Sequence, residues 1–111
     1  MAISFPFGDA AEIALTATGA QALTINEQVT RVDGVTVSAT GNRTLNLTIG
    51  AEVRKGARII LEAKTDGTET TIFGTGITGV TITGVTGKTK VTEFVYNGTA
   101  FVNSTTPVQI D

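Results

Sequence analysis

Apolar residues recur at every second position along most of this chain, which is the period of a half-buried β-strand and not of a helix. Ile13 and Leu15 form one short run and Leu23 and Ile25 the next, with "ATGAQ" as a turn between them. Val35, Val37 and Ala39 share a face, as do Leu45, Leu47 and Ile49, and then Ile59, Leu61 and Ala63. No stretch of ordinary helix length has a comparable pattern. The expected fold class is therefore all-β, a single-domain antiparallel β-sandwich of jelly-roll type.

Turn signals between the runs predict hairpins. Around Gly41-Asn42, a loop over residues 40–42 pairs Val37 with Leu45 and aligns the two apolar faces; the alternative places the two strands in facing sheets. Asp66-Gly67 predicts a hairpin with Thr65 opposite Thr68 and Leu61 opposite Ile72. Asn97-Gly98 predicts a type I′ turn with Tyr96 opposite Thr99 and Phe94 opposite Phe101.

The pentapeptide "ITGVT" at 77–81 recurs unchanged at 82–86. Five is odd, so a straight strand would turn the second copy over, and a bulge or bend is expected at Gly79 or Gly84. Two copies fall short of the ~3 units of a solenoid. Before the first strand, residues 1–11 hold Phe5, Pro6 and Phe7 without a settled period. They read as an extended apolar arm ahead of a β-domain over 12–111, with Pro6 keeping the segment extended.

Composition narrows the function classes. Charged residues make up 16% of the 111, against about 25% in an average soluble chain. Mean hydropathy is +0.21, and threonine occupies much of the polar surface. A surface so poor in charge, together with the arm, points to burial by neighbours in a homo-oligomer. A net charge of -2 with a pI near 5.0 offers no overall field for nucleic acid or an anionic membrane. No segment approaches the ~18 apolar residues of a membrane span. The N-terminal segment lacks a basic n-region, and Pro6, Gly8, Asp9 and Glu12 break its apolar run, so no signal peptide is expected.

Cysteine, histidine and tryptophan are absent, which removes thiol nucleophiles, imidazole bases and the usual zinc ligands. The expectation is no enzyme and no cofactor. "GKT" at 87–89 suggests a nucleotide loop, but G-x-x-x-x-G-K-[ST] requires glycine at position 82, which is Ile82, and "KTKVTEFVY" alternates as a strand where a helix should begin. Lys88 and Lys90 read as strand or edge charges. Glu62 and Glu69 flank Asp66-Gly67 and are expected near each other on the outer face, as solvated carboxylates. Four asparagines, Asn42, Asn46, Asn97 and Asn103, begin N-x-[ST], a coincidence of abundant threonine. "VRKGAR" gathers Arg54, Lys55 and Arg58 between two strands: either a solvated turn or a contact for an anionic surface.

The closing "EFVYNGTAFV" is similar to the hairpin that ends many phage fibre and decoration chains. "TLNLTIGAEVRKGARIILEAKTDGTETTIFGTGITG" resembles capsid-attached proteins of phages infecting Bacteroidetes. Over residues 43–103 the chain thus resembles head decoration and head-fibre proteins of tailed bacteriophages. The resemblance implies a non-enzymatic virion protein on the capsid exterior, made in the host cytoplasm, often a homotrimer, and bound to the major capsid protein or another virion protein. The expected contacts are Phe5, Pro6 and Phe7 in the arm and Arg54, Lys55 and Arg58 in the basic turn. The alternative is a carbohydrate-binding or adhesin module; the first needs an exposed aromatic platform, the second an export signal.

Overall fold

The computed structural model describes residues 10–111. Eleven strands form two sheets: β1 (Ala10–Ala14), β2 (Gly19–Ile25), β3 (Val29–Ala39), β4 (Arg43–Ile49), β5 (Arg58–Thr65), β6 (Thr70–Phe73), β7 (Ile77–Thr78), β8 (Ile82–Thr83), β9 (Thr89–Tyr96), β10 (Phe101–Asn103) and β11 (Val108–Gln109). One sheet runs β1-β3-β5-β9-β10-β7 with β11 beside β9, and the other runs β2-β4-β6-β8. Phe5, Pro6 and Phe7 lie outside the described residues. The first described strand begins at Ala10, ahead of residue 12, the expected start of the β-domain.

The all-β expectation holds, but the strands are not joined as an antiparallel jelly roll. From β1 to β6 the chain alternates between the sheets, and each strand pairs in parallel with the strand of the next turn: β1 with β3, β3 with β5, β2 with β4 and β4 with β6. This is the winding of a β-solenoid. Antiparallel pairing enters only afterwards, where β8 joins β6, β9 joins β5, and β10 and β11 flank β9. The winding leaves no fixed sequence period, because Val29 stacks on Ala10 and Arg58 on Val29 at different separations.

Three hairpin expectations change accordingly. β3 and β4 occupy different sheets, which is the alternative reading of the Gly41-Asn42 turn. β5 and β6 do the same, so Leu61 faces Thr92 and not Ile72. The closing hairpin exists with a shifted register: Tyr96 pairs with Phe101 and Asn103 with Phe94. Its turn is longer because Asn97 lacks the positive φ of a type I′ turn and instead accepts the Thr99 and Ala100 amides on Oδ1, each at 2.9 Å. The ITGVT repeat is divided between the sheets: β7 stops just before Gly79 and β8 just before Gly84. Each copy thereby buries its isoleucine, Ile77 or Ile82.

One core lies between the sheets. Leu23, Ile25, Leu45, Leu47 and Ile82 enter from one side and Val32, Ile59, Leu61, Phe94 and Phe101 from the other. Phe73 meets Phe94 edge-on with ring centroids 4.9 Å apart. Alternation predicted the shared faces of Leu23 with Ile25, Leu45 with Leu47 and Ile59 with Leu61; Val32 is not among them, and Val37, grouped with Ala39, is exposed. Gly34 pairs with Ala63 but Ala39 with Thr65, so residues 35–38 leave the ladder as a bulge.

Two side chains hold that bulge. Asp33, buried, accepts the amides of Val35 and Thr36 at 2.8 and 3.1 Å and the Thr36 hydroxyl at 2.6 Å. Arg43, at the start of β4, is 0% exposed. Its Nε donates to the Thr16 carbonyl at 2.8 Å, Nη1 to the Gly34 carbonyl at 3.3 Å, and Nη2 to the Val37 carbonyl. Gly34 makes room for it, because a Cβ there would lie 2.8 Å from Nη1 and 2.6 Å from the Glu62 carbonyl. Burial lowers the guanidinium pKa, opposed by the charge of Asp33.

Replacing Arg43 with Met should lower stability by about 3 kcal/mol, since it removes all the guanidinium donors to these carbonyls. Lys should recover less than half of the loss, lacking the planar fork. Urea midpoints at constant slope measure both; an unchanged midpoint in the Met variant would mean that water replaces the guanidinium without cost. The bond from Thr36, then the Val35 and Thr36 amides, lower the Asp33 pKa from 3.8 to about 2. A depressed carboxylate contributes its stability above the unfolded pKa and loses it as pH falls through the folded one. Wild-type protein should therefore lose more stability between about pH 4 and pH 2 than Asp33→Asn, and parallel pH profiles would contradict this.

Candidate basic cleft

After β4 the chain crosses back through Gly50–Ala57 before β5 begins. Buried Val53 and Ala57 anchor this segment to the core. Gln28 braces it: its carbonyl accepts the Arg58 amide at 2.8 Å, its Oε1 accepts the Arg54 amide at 3.2 Å, and its Nε2 donates to the Glu52 carbonyl at 2.9 Å. The Ala57 amide bonds the Arg54 carbonyl at 3.0 Å, closing a tight turn with Gly56 at φ 93°. Paired backbone bonds of 2.8 Å, Gly56 amide to Tyr96 carbonyl and Tyr96 amide to Ala57 carbonyl, fasten the turn to the end of β9.

The result is an open cleft of about 400 Å³ lined by Gln28, Val29 and residues 54–58. Arg54, Lys55 and Arg58 are all exposed at it. Among the described residues, Glu93 is the one carboxylate within ion-pair reach of these cations, 3.8 Å from Arg58. The Lys55 stem lies against the closing turn, where a Cβ on Gly98 would be 2.7 Å from Cε. The sequence brought the three cations together, and the structure adds the cleft, the Gln28 brace and the fastening of the turn to the closing hairpin. Gln28 had no signal of its own, because its role depends on a contact with residues far along the chain.

The other candidates resolve differently. Gly87-Lys88 leads into strand β9, and the amides of a phosphate cradle are engaged: Gly87 to the Thr65 carbonyl, Lys88 to the Val85 carbonyl, and Thr89 to Asp111 Oδ1. Glu62 is held by Arg31 at 2.9 Å, whereas Glu69 accepts the Gly67 amide at 2.7 Å. Each therefore serves its own local contact. Among the described residues no three metal-ligating side chains gather on one point. Phe94 and Phe101 are buried, and Phe73 and Tyr96 pack against the core, so the described aromatics form no exposed platform. No helix of the described residues is long and apolar enough to cross a membrane.

No family model, curated protein or solved structure matches this chain.

Gly98→Val should cost about 1–3 kcal/mol, because Gly98 sits at φ 98°, where a β-branched residue is strained. It should also displace the Lys55 stem. Trimming Lys55 to Ala in the same chain should not recover the loss, since the strain lies in the backbone. Thermal melts of the single and double variants decide between backbone strain and side-chain crowding.

Proposed function

We propose that this chain is a non-enzymatic structural protein of a tailed-phage virion. It sits on the capsid exterior and receives an acidic surface of a capsid or other virion protein in the cleft of Arg54, Lys55 and Arg58. The observation behind this reading is the cleft itself: three cations at one braced turn, with a single carboxylate among the described residues in ion-pair reach. Such a concentration of charge is unusual in a chain with 16% charged residues. Rim charges of this kind govern encounter and register more than the depth of binding. The rigid turn keeps the three side chains from spreading when the partner arrives.

The experiment is co-sedimentation with capsids that lack this protein. Arg54→Glu with Lys55→Glu should reduce binding at least about ten-fold while the circular dichroism spectrum is unchanged. Wild-type binding should weaken as salt rises from about 0.05 to 0.3 M, because exposed charges are screened over about 10 Å or less in that range. Undiminished binding by the reversed variant would dismiss the cleft as the contact.

A further inference from the structure

Sheet edges expose unpaired amides and carbonyls, and folded proteins usually blunt them with charge, proline, bulges or short length. Among the described residues, most edges here follow that rule. β7, β8 and β11 are two residues long. β1 carries the exposed Glu12, 3.2 Å from Arg31. β2 has none of these devices: it runs for 7 residues, "GAQALTI", without a charge, a proline or a break in register.

Its hydrogen-bonding direction follows from two bonds. The Gly19 amide donates to the Asn42 carbonyl at 2.9 Å, and the Ile25 carbonyl accepts the Gly50 amide at 2.8 Å. Gly19, Gln21, Leu23 and Ile25 therefore turn their backbone groups toward β4, and Ala20, Ala22 and Thr24 turn theirs to the free edge. The same three residues have exposed side chains, all small and uncharged. The whole sheet shares this character. Its strands contain one charged residue, Arg43, which is buried. The opposite sheet contains Glu12, Arg31, Asp33, Arg58, Glu62, Lys64, Lys90 and Glu93.

We infer that the β2 edge docks against the β2 edge of a second copy of this chain, antiparallel, about a two-fold axis through Ala22. In that register Ala20 exchanges both backbone bonds with Thr24 of the other copy and Ala22 with its own counterpart, so every outward group finds a partner. On the exposed face Ala22 meets Ala22, and Ala20 meets Thr24, without bulk or like charge. The pattern is self-complementary, which selects a second copy over a partner that would need a different surface. A seam this short buries less than the ~1,200 Å² of a standard stable interface, so the dimer forms in a concentration-dependent equilibrium. It is a two-fold pair in place of the trimer implied by the phage resemblance, and it does not depend on the basic cleft.

Sedimentation velocity and concentration-dependent hydrogen exchange on the full chain test it. Wild-type protein should pass from monomer to dimer as concentration rises, with exchange at Ala20, Ala22 and Thr24 slowing in step. Ala22→Pro removes only an outward amide and should raise the dissociation constant at least about ten-fold without lowering the monomer's melting temperature. Ala22→Lys places like charges opposite each other across the axis and should do the same, and mixing it with Ala22→Glu should restore pairing. Three results would each overturn the inference: a monomer at all concentrations up to the solubility limit, dimerisation unaffected by these variants, or amides protected in the monomer, which would mean that this chain covers its own edge.

Discussion

The buried guanidinium of Arg43 is the constraint on which the winding of this protein depends. A chain that alternates between two sheets must turn sharply at every crossing, and carbonyls in those turns lose both water and ladder partners. Arg43 supplies donors to Thr16, in the crossing from β1 to β2, to Gly34, the last paired residue before the bulge, and to Val37 within it. One planar group thus ties the β1–β2 crossing and the irregular half of β3 to the first residue of β4, where a lysine could serve only part of the set. Asp33 complements it by binding the amides of the same bulge.

With the crossings held, the core follows from alternation. Each turn of the winding adds one inward face to each sheet, and Phe94 and Phe101 close the space after the chain changes to antiparallel pairing. The same change brings the end of β9 against the crossing at residues 50–57 and fastens it, while Gln28 and Val29, where the preceding crossing on that side enters β3, complete the cleft. The cleft is therefore a product of two crossings stacked on the same side of the winding.

Charge is divided between the sheets. Ion pairs such as Arg31 with Glu12 and Glu62 are confined to one outer face. The other face presents Ala20, Ala22, Thr24, Thr44, Asn46, Thr48, Thr70, Ile72 and Thr83. Burying a face without charges avoids the desolvation penalty of ions, so the two faces suit different surroundings. The composition showed a shortage of charge, but the division needed the topology, because successive strands of the sequence go to alternate sheets.

Sequence by itself determined what is local. Period-two alternation identified many of the strands and the inward positions Leu23, Leu45, Ile59 and Leu61, though not the first half of β3 or β11, and the odd-length repeat called for a bulge or bend at Gly79 or Gly84. Adjacency along the chain also grouped Arg54, Lys55 and Arg58. Tertiary structure alone decided which strands pair and in which direction, since alternation is the same in parallel and antiparallel sheets. It moved Val37 outward through a bulge, buried Arg43, and set Tyr96 opposite Phe101. These outcomes depend on contacts between residues distant in the chain, such as Arg43 with Thr16 and Arg58 with Val95, which no local pattern encodes.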